Sequence, residues 1–173
     1  MEIWDGYYKD GTLANIDLIR GEPVPVGLYH LVCEVLVRHI DGDYLLMQRD
    51  LKKDIYPGFY EATAGGSALK RENEFDCIKR ELFEETGIIC DDFKEFAHYV
   101  FDDDNCLFHC FLCTTDCDKN NIKLQKGETI SFKWISENEF IEFVNSDKMI
   151  DTQKRRYTNW LKEKGYLITK NHR

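Results

Sequence analysis

The sequence predicts an α/β fold in which a mixed β-sheet packs against helices. Apolar segments with strand-like alternation are interspersed with segments of helical periodicity. The segment 28–40 is apolar on both of its alternating faces, which is typical of a central strand covered on two sides. With 173 residues, 43% of them hydrophobic, the chain can build a sizeable core, so we expect a single domain over 1–173.

The first 25 residues predict an N-terminal arm, 1–25, packed on this domain. Aromatic and aliphatic residues are spaced there between glycines and charges, and Pro23 and Pro25 end the segment. The polar stretch 9–12 predicts a turn or hairpin. The arm has two further possible roles: it could cover a binding pocket, or it could contact a second copy of the chain in a homodimer.

Local signals predict the remaining elements. Gly42 lies in a tight turn between the first two strands, Gly87 ends the long helix, and Ser136 with Glu139 forms a capping box at the next helix. The predicted strands are 28–40, 44–49, 59–64, 88–89, 93–101, 106–114 and 128–135, and the predicted helices are 73–86, one beginning at 136, and 151–164.

The long predicted helix follows a predicted glycine-rich loop that begins at Gly65-Gly66, and it carries three carboxylates on one side. Glu81, Glu84 and Glu85 share a face at about 100° per residue. Ile78 and Leu82 lie beside them as an apolar stripe for the core. Clustered carboxylates raise each other's pKa unless a cation shares their charge, and oxygen ligands suit Mg²⁺ or Mn²⁺. Such an ion can neutralise a phosphate substrate while one carboxylate orients or deprotonates a water.

A solvated acidic face is the alternative in a chain with 32 acidic residues. The spacing of the surrounding residues argues against it, since average residue usage gives such a match by chance in well under ~1 in a million chains. The residues of the pattern are Gly66, Glu72, Arg80, Glu81, Leu82, Glu84, Glu85, Gly87 and Ile88. Every defining position matches, so the stretch resembles the Nudix box.

This resemblance implies an α/β/α sandwich with a mixed β-sheet and a hydrolase. Water would attack the diphosphate linkage of a nucleoside diphosphate derivative or a related organic diphosphate. The implied cofactor is Mg²⁺ or Mn²⁺, held by Glu81, Glu84, Glu85 and the carbonyl of Gly65. Relatives often use a further carboxylate outside the box as metal ligand or base. Glu128, at the entrance of a predicted strand, is the candidate, with a solvated loop glutamate as the alternative.

Other charged residues are expected at the same site. Arg80 lies one turn before Glu84, within reach of an ion pair that holds the carboxylate in place. Glu72 suits the helix N-terminus and is expected to have a structural role, pairing with Arg80 or bracing the preceding loop. Arg49 ends a strand, Lys53 follows in a loop, and both can reach a substrate phosphate, although solvation is the alternative for each.

Two other functions remain as alternatives. Residues outside the box also look like the isopentenyl diphosphate isomerase branch, namely Tyr29-His30, Gln48-Arg49, Lys53, Pro57-Gly58 and Gly65-Gly66. The catalytic cysteine of that branch falls at Gly65 and one of its metal-binding histidines at Ser67, so both departures argue against isomerase. His30 matches another such histidine but alone is more typical of a core or loop. A non-catalytic nucleotide sensor usually loses glutamates from the box, and none is lost here.

Composition limits the partners. A net charge of −9 argues against nucleic acid polymers but not against a small-molecule diphosphate, because metal ions supply the missing positive charge. No apolar run approaches the roughly 20 residues of a membrane span, and the polar start is no signal peptide, so we expect a cytoplasmic protein without membrane contact. Seven cysteines without a secretory signal indicate reduced thiols.

Three smaller clusters have less specific interpretations. Structural zinc is the alternative for the cysteines of 106–117, but Cys110 and Cys113 would face opposite ways on a strand, so we expect buried or edge thiols. The acidic run 102–104 suggests a second metal site, yet residues of a tight turn point apart, so we expect a solvated turn. The basic run 154–156 is expected to be solvated, with a substrate or an acidic partner as the alternative.

Overall fold

The computed structural model describes residues 1–168, which form two β-sheets and three α-helices. In chain order the elements are β1 (Ile3–Tyr7), β2 (Leu13–Ile19), β3 (His30–His39), β4 (Tyr44–Arg49), β5 (Tyr60–Glu61), β6 (Ala64–Ser67), α1 (Glu74–Thr86), β7 (Phe93–Phe101), β8 (Cys106–Thr115), β9 (Thr129–Ile135), α2 (Glu137–Asn145) and α3 (Asp151–Glu163). β1 and β2 form the smaller sheet, and the other strands form a sheet of seven.

Strand β3 is central to the larger sheet. It pairs in parallel with β8, from His30 opposite Cys106 to His39 opposite Thr115, and antiparallel with β6 and β4. β4 also pairs with β5 and β9, and β7 pairs antiparallel with β8. Parallel and antiparallel pairs therefore coexist, and the prediction of a mixed sheet is confirmed.

Helices cover both faces of this sheet. On one face, α1 buries Ile78 and Leu82 against Val35 of β3. On the other, α2 and α3 cover Leu36, the next residue of β3, which packs in one core with Phe140. Alternate residues of β3 thus enter two different cores, which explains why this strand is apolar on both faces. The predicted α/β/α sandwich is confirmed.

The predicted end of α1 and the predicted start of α2 are also correct. The side chain of Asn73 accepts hydrogen bonds from the first N–H groups of α1, and Gly87 ends the helix with a φ of 73°. Ser136 and Glu139 form the expected capping box of α2. Within the described residues, no helix is both long and apolar enough to cross a membrane.

The predicted strand 59–64 is wrong in its extent. Thr63, with a φ of 73°, breaks it into β5 and β6, and its Oγ1 bonds to the backbone of Val37 and Leu45. β6 then runs through Gly65 and Gly66, so the glycines lie in a strand and not in a loop. A Cβ on Gly65 would lie 2.6 Å from a backbone oxygen of β3, which makes glycine necessary for this close strand pairing.

Residues 88–89 are not a strand, contrary to the prediction. The Ile88 N–H donates to Thr86 Oγ1 at 3.1 Å, so local bonding uses the group that a ladder would need. The expected apolar face of the strand before α2 is only partly correct, because Phe132 and Trp134 pack on the core whereas Ile130 is exposed.

Strands β1 and β2 form a hairpin that contacts the segment before α1 and shares a small buried cluster with Leu28. Trp4 and Leu18, on facing positions of β1 and β2, are buried together with Leu28. The backbone of Ile3 accepts a hydrogen bond of 2.8 Å from the Lys70 N–H, which precedes α1. The hairpin is therefore fixed to the segment that leads into the long helix.

The basic run of α3 is not fully solvated, as it was expected to be. Arg156 lies on the helix face that meets the sheet, and its Nε and Nη2 donate to Glu34 of β3, each at 2.8 Å. Its guanidinium also lies 4.5 Å from the ring centre of Phe108. Sequence alone does not reveal which cation of an amphipathic helix faces a buried carboxylate.

The cysteines of 106–117 and the acidic run 102–104 show no sign of forming one site. Cys110 and Cys113 belong to cores on opposite faces of the sheet, as the strand alternation predicts, and the cysteines are free thiols. The turn aspartate Asp102 accepts hydrogen bonds from Lys9 and from the hydroxyl of Tyr29. Asp102 of this acidic turn therefore makes specific contacts, although its pair with Lys9 is largely exposed.

Candidate active site

One cavity of about 350 Å³ gathers every residue singled out from the sequence for catalysis, metal binding or phosphate binding. Its walls are formed by Glu2, Arg20, Arg49, Lys53, Gly65, Gly66, Ser67, Leu69, Arg80, Glu81, Glu84, Glu85, Gln125 and Glu128. The α1 carboxylates lie on one side of their helix, which also supplies Arg80. The other residues come from the start of the chain, from β4 and β6, and from the loops that follow β2, β4, β6 and β8. The fold thus brings together groups that are far apart in the chain.

The three α1 carboxylates differ in depth. Glu85 is only 7% exposed, whereas the side chain of Glu81 is 13% and that of Glu84 is 45% exposed. This gradient follows from the helix, because Glu85 lies nearest the buried face of α1 and Glu84 nearest the solvent. A ligand in the cavity can therefore contact carboxylates at three depths, with Glu85 innermost and Glu84 at the surface.

Glu85 is a buried carboxylate without a basic partner among residues 1–168. Its one hydrogen bond is accepted from the Gly65 N–H at 3.4 Å. Burial raises the pKa of Glu85 well above its ordinary value, and the nearby carboxylates of Glu61 and Glu81 raise it further. An anion in this position is stabilised by a cation, so the cavity floor is suited to one.

Arg80 forms ion pairs with three carboxylates, one before α1 and two within it. Its Nε and Nη2 donate to the two oxygens of Glu72 at 2.7 and 2.8 Å. Its Nη1 donates to Glu81 at 2.7 Å and to Glu84 at 3.2 Å, so the predicted ion pair with Glu84 is present. Burial opposes ionisation of Glu72, but the bonds from Arg80 and the Leu69 N–H lower its pKa below the ordinary value.

Two further cations that line the cavity, Arg49 and Lys53, form ion pairs. Lys53 pairs with Glu128 directly, and Arg49 Nη1 donates to Glu61 at 3.0 Å while its Nε donates to the carbonyl of Ile55. Burial raises the pKa of Glu61, against the opposing effect of Arg49. Both predicted phosphate-binding cations are thus held at the cavity by carboxylates.

The donor set fits Mg²⁺ or Mn²⁺, because it consists of hard carboxylate oxygens around the unpaired Glu85. Within residues 1–168, however, no group of three acidic, histidine or cysteine side chains is arranged to hold a metal ion. Arg80 explains this arrangement, since it draws Glu81 and Glu84 to itself. Arg80 engages one oxygen of each carboxylate, Oε1 of Glu81 and Oε2 of Glu84.

Gly66 is needed for the position of Glu81. A Cβ at Gly66 would overlap the carboxylate of Glu81, with the second carboxylate oxygen only 2.7 Å away. The glycine pair therefore has two separate roles: Gly65 allows close strand pairing, and Gly66 leaves space for a cavity carboxylate.

Sequence reasoning missed four residues of this region. Glu61 is the partner of Arg49, and Gln125 lines the cavity from the loop before β9. Glu2 and Arg20 extend the hairpin at its open end and line the cavity beside Ser67. The predicted turn does not bring these two residues opposite each other, because a register shift between Asp5 and Tyr7 changes the strand pairing. The tertiary structure then brings both to the cavity.

The isomerase-like histidine is not a cavity residue. His30 stacks on Trp4 with ring centres 4.3 Å apart, and its Nε2 lies 3.5 Å from the Cys106 sulfur. Burial lowers the pKa of His30 below its ordinary value. His30 is therefore a core residue, and the cavity has Gly65 and Ser67 where that branch has a cysteine and a histidine.

A family model and related proteins both match most of this chain. The NUDIX domain model matches residues 28–161. An uncharacterized Nudix hydrolase of Listeria monocytogenes is 29% identical over 150 residues, covering 87% of this chain and 89% of that protein. The uncharacterized Nudix hydrolase YfcD of Escherichia coli is 28% identical, covering 78% of this chain and 73% of its own length.

Solved structures share the fold. A crystal structure from Deinococcus radiodurans aligns with a TM-score of 0.69 and 14% identity over 90% of this chain and 99% of that one. A bifunctional NMN adenylyltransferase/ADP ribose pyrophosphatase from Francisella tularensis, complexed with AMP and a Mn ion, aligns with a TM-score of 0.59 and 22% identity over 84% of this chain and 43% of that one. With the three carboxylates of the box in the cavity and the family model over most of the chain, this protein belongs to the Nudix hydrolase family.

Proposed function

We propose that this protein is a metal-dependent hydrolase that cleaves the diphosphate linkage of a nucleoside diphosphate derivative or a related organic diphosphate by attack of water. The observation that carries the proposal is the buried, unpaired carboxylate of Glu85 at the floor of a cavity lined by carboxylates and cations. The pyrophosphatase activity named for the Francisella tularensis neighbour, and its bound Mn ion, support it.

The ligands of Mg²⁺ or Mn²⁺ in this proposal are Glu81, Glu84, Glu85 and the carbonyl of Gly65. When bound, the ion neutralises phosphate charge and polarises the phosphorus under attack. Arg80 is the positioning residue: its bonds to Glu72 fix the guanidinium, from which Glu81 and Glu84 can be released toward the cavity.

The cations on the other wall bind the substrate. Arg49, braced by Glu61, presents its guanidinium to a phosphate. A phosphate that binds Lys53 competes with Glu128 for the ammonium group. The freed carboxylate of Glu128 then orients or deprotonates the attacking water, which makes it the candidate base.

The remaining alternatives have less support. Isomerase chemistry lacks its catalytic cysteine, because Gly65 occupies that position, and a sensor would not need the complete set of box glutamates. We also propose one domain over 1–173 with the arm included, a small-molecule substrate, and a cytoplasmic location, which the free thiols support. A homodimer is compatible with this proposal.

A substrate screen tests the function. Nucleoside diphosphate derivatives and isoprenoid diphosphates are incubated with Mg²⁺, with Mn²⁺ or with chelator, and phosphate or monophosphate release is measured. We expect hydrolysis that requires either ion. Isomerised isopentenyl diphosphate would favour the isomerase alternative, nucleotide binding without turnover would favour the sensor, and full hydrolysis in chelator would contradict metal dependence.

A further inference from the structure

The N-terminal hairpin contributes its own ion pair to the cavity wall. Arg20 Nη1 donates to both carboxylate oxygens of Glu2, at 2.9 and 2.8 Å. The two residues follow the hairpin register, since the neighbouring Ile3 and Ile19 are partners. Both line the cavity that contains the α1 carboxylates. A guanidinium therefore faces the cavity from a segment outside the residues matched by the family model, 28–161.

The hairpin strands that carry Glu2 and Arg20 have a fixed position relative to α1. Lys70, in the segment before the helix, donates its N–H to Ile3 at 2.8 Å and its ammonium group to Asp17 at 2.6 Å. The Arg71 N–H donates to Asp5 at 2.6 Å. These contacts join both strands of the hairpin to the segment that leads into the helix. These contacts therefore hold the hairpin end that carries Arg20 at the cavity.

Arg20 also differs from the other cations of the cavity. The side chains of Arg49, Lys53 and Arg80 are 20%, 25% and 21% exposed, and each is engaged by a carboxylate. The side chain of Arg20 is 65% exposed, and its partner Glu2 is 43% exposed. Exposed ion pairs contribute little to stability. Breaking the Arg20–Glu2 pair to bind a ligand should therefore cost less free energy than breaking the more buried pairs of the other three cations.

We propose that Arg20 binds a further anionic group carried next to the diphosphate, so that the N-terminal hairpin selects substrates with an additional negative charge. Arg20 contacts Glu2 through Nη1 alone. A phosphate or carboxylate ligand can use the planar guanidinium more fully, through two parallel hydrogen bonds. Glu2 then acts as an internal competitor that occupies Arg20 until such a substrate arrives. This inference rests on the proposed diphosphate-binding function of the same cavity.

Binding of two inorganic probes tests this inference without requiring turnover. Pyrophosphate and tripolyphosphate are titrated calorimetrically in the presence of Mg²⁺ into the wild type, Arg20→Gln, Glu2→Gln and Lys9→Gln. Lys9 is the matched control, because it lies in the same hairpin, carries the same charge and pairs with Asp102. Thermal melting of each variant checks that the fold is retained.

We expect Arg20→Gln to weaken tripolyphosphate binding about 10-fold and pyrophosphate binding less than about 2-fold, a selective loss of the order of one charge-assisted contact. Glu2→Gln should bind tripolyphosphate as tightly as the wild type or more tightly, and Lys9→Gln should match the wild type for both probes. Equal weakening of both probes by Arg20→Gln, or no weakening, would overturn the role of Arg20. If the wild type bound neither probe, the diphosphate site itself would be wrong and this inference with it.

Discussion

The two faces of the central sheet each bury a glutamate, and the two glutamates have different surroundings. Glu34, on the α3 side, is 6% exposed and receives two hydrogen bonds from Arg156. Glu85, on the α1 side, is 7% exposed and has no basic partner in the described part of the chain. Similar burial therefore gives a structural ion pair on one face and an uncompensated charge on the other.

This difference teaches that burial alone does not identify a functional carboxylate. Glu34 is satisfied within the fold, whereas Glu85 lies in a cavity beside Glu81 and Glu61 and has its pKa raised by burial and by these neighbours. Proteins retain such unsatisfied charges where a ligand compensates them. Breaking the first arrangement should affect stability, and breaking the second should affect activity.

Removing the partner of Glu34 should have the largest effect. Arg156→Met leaves a buried carboxylate without compensation and should lower the free energy of unfolding by about 3–5 kcal/mol. Urea unfolding measures it, with Arg155→Met as the control, because Arg155 is an exposed neighbour on the same helix. Equal stability of the two variants would show that the Arg156–Glu34 pair is not structural.

Removing the charge of the unpaired carboxylate should instead impair turnover. Glu85→Gln and Glu84→Gln should each lower kcat at saturating Mg²⁺ about 100-fold or more, or about 2.7 kcal/mol of activation free energy, without unfolding the protein. Glu142→Gln, the same change at an exposed position of α2, should leave kcat unchanged. Near-wild-type turnover of either variant on an identified substrate would exclude that residue as a metal ligand.

Glu72 should combine both behaviours, because it is a structural carboxylate next to the catalytic ones. Glu72→Gln weakens the hydrogen bonds that fix Arg80 and should lower the free energy of unfolding by about 1.5–3 kcal/mol together with activity. Parallel urea unfolding and kinetics measure the two effects. Lost activity at unchanged stability would instead indicate that Glu72 acts directly on the metal or the substrate.

The smallest expected effect is an increase in stability, for Glu85→Gln in the absence of metal. In chelator, Glu85→Gln removes a charge that burial and neighbouring carboxylates penalise, while it keeps the side-chain length. We expect the melting temperature to rise by about 2–4 °C, equivalent to about 1 kcal/mol. Glu34→Gln, measured in the same buffer, should lower it. A lower melting temperature for Glu85→Gln would mean that its carboxylate is compensated within the fold.

The sequence was most informative where chemistry follows local geometry. Helical periodicity predicted that Glu81, Glu84 and Glu85 share one side of α1, and the spacing of Arg80 predicted its ion pair with Glu84. These features depend on residues within two turns of one helix. The shared face and the Arg80–Glu84 ion pair could therefore be anticipated without knowing the sheet, whereas the burial of Glu85 could not.

The sequence was least informative where distant segments meet. The pairing of Glu34 with Arg156 and of Arg49 with Glu61 depends on which face of a helix or strand meets its neighbour, which local periodicity does not specify. The glycine pair was expected in a loop but lies in β6, because its close approach to β3 is a tertiary contact. Arg20 reaches the cavity only through the docking of the hairpin.

Binding of Mn²⁺ to wild type and Glu85→Gln tests the central claim most directly, that the unpaired carboxylate belongs to a metal site. The free Mn²⁺ signal in electron paramagnetic resonance is measured as each protein is added, with Glu34→Gln as the control for a buried glutamate on the other face of the sheet. We predict that wild type and Glu34→Gln remove Mn²⁺ from solution and that Glu85→Gln binds it at least about 10-fold more weakly. Equal Mn²⁺ binding by Glu85→Gln and the wild type would contradict the claim.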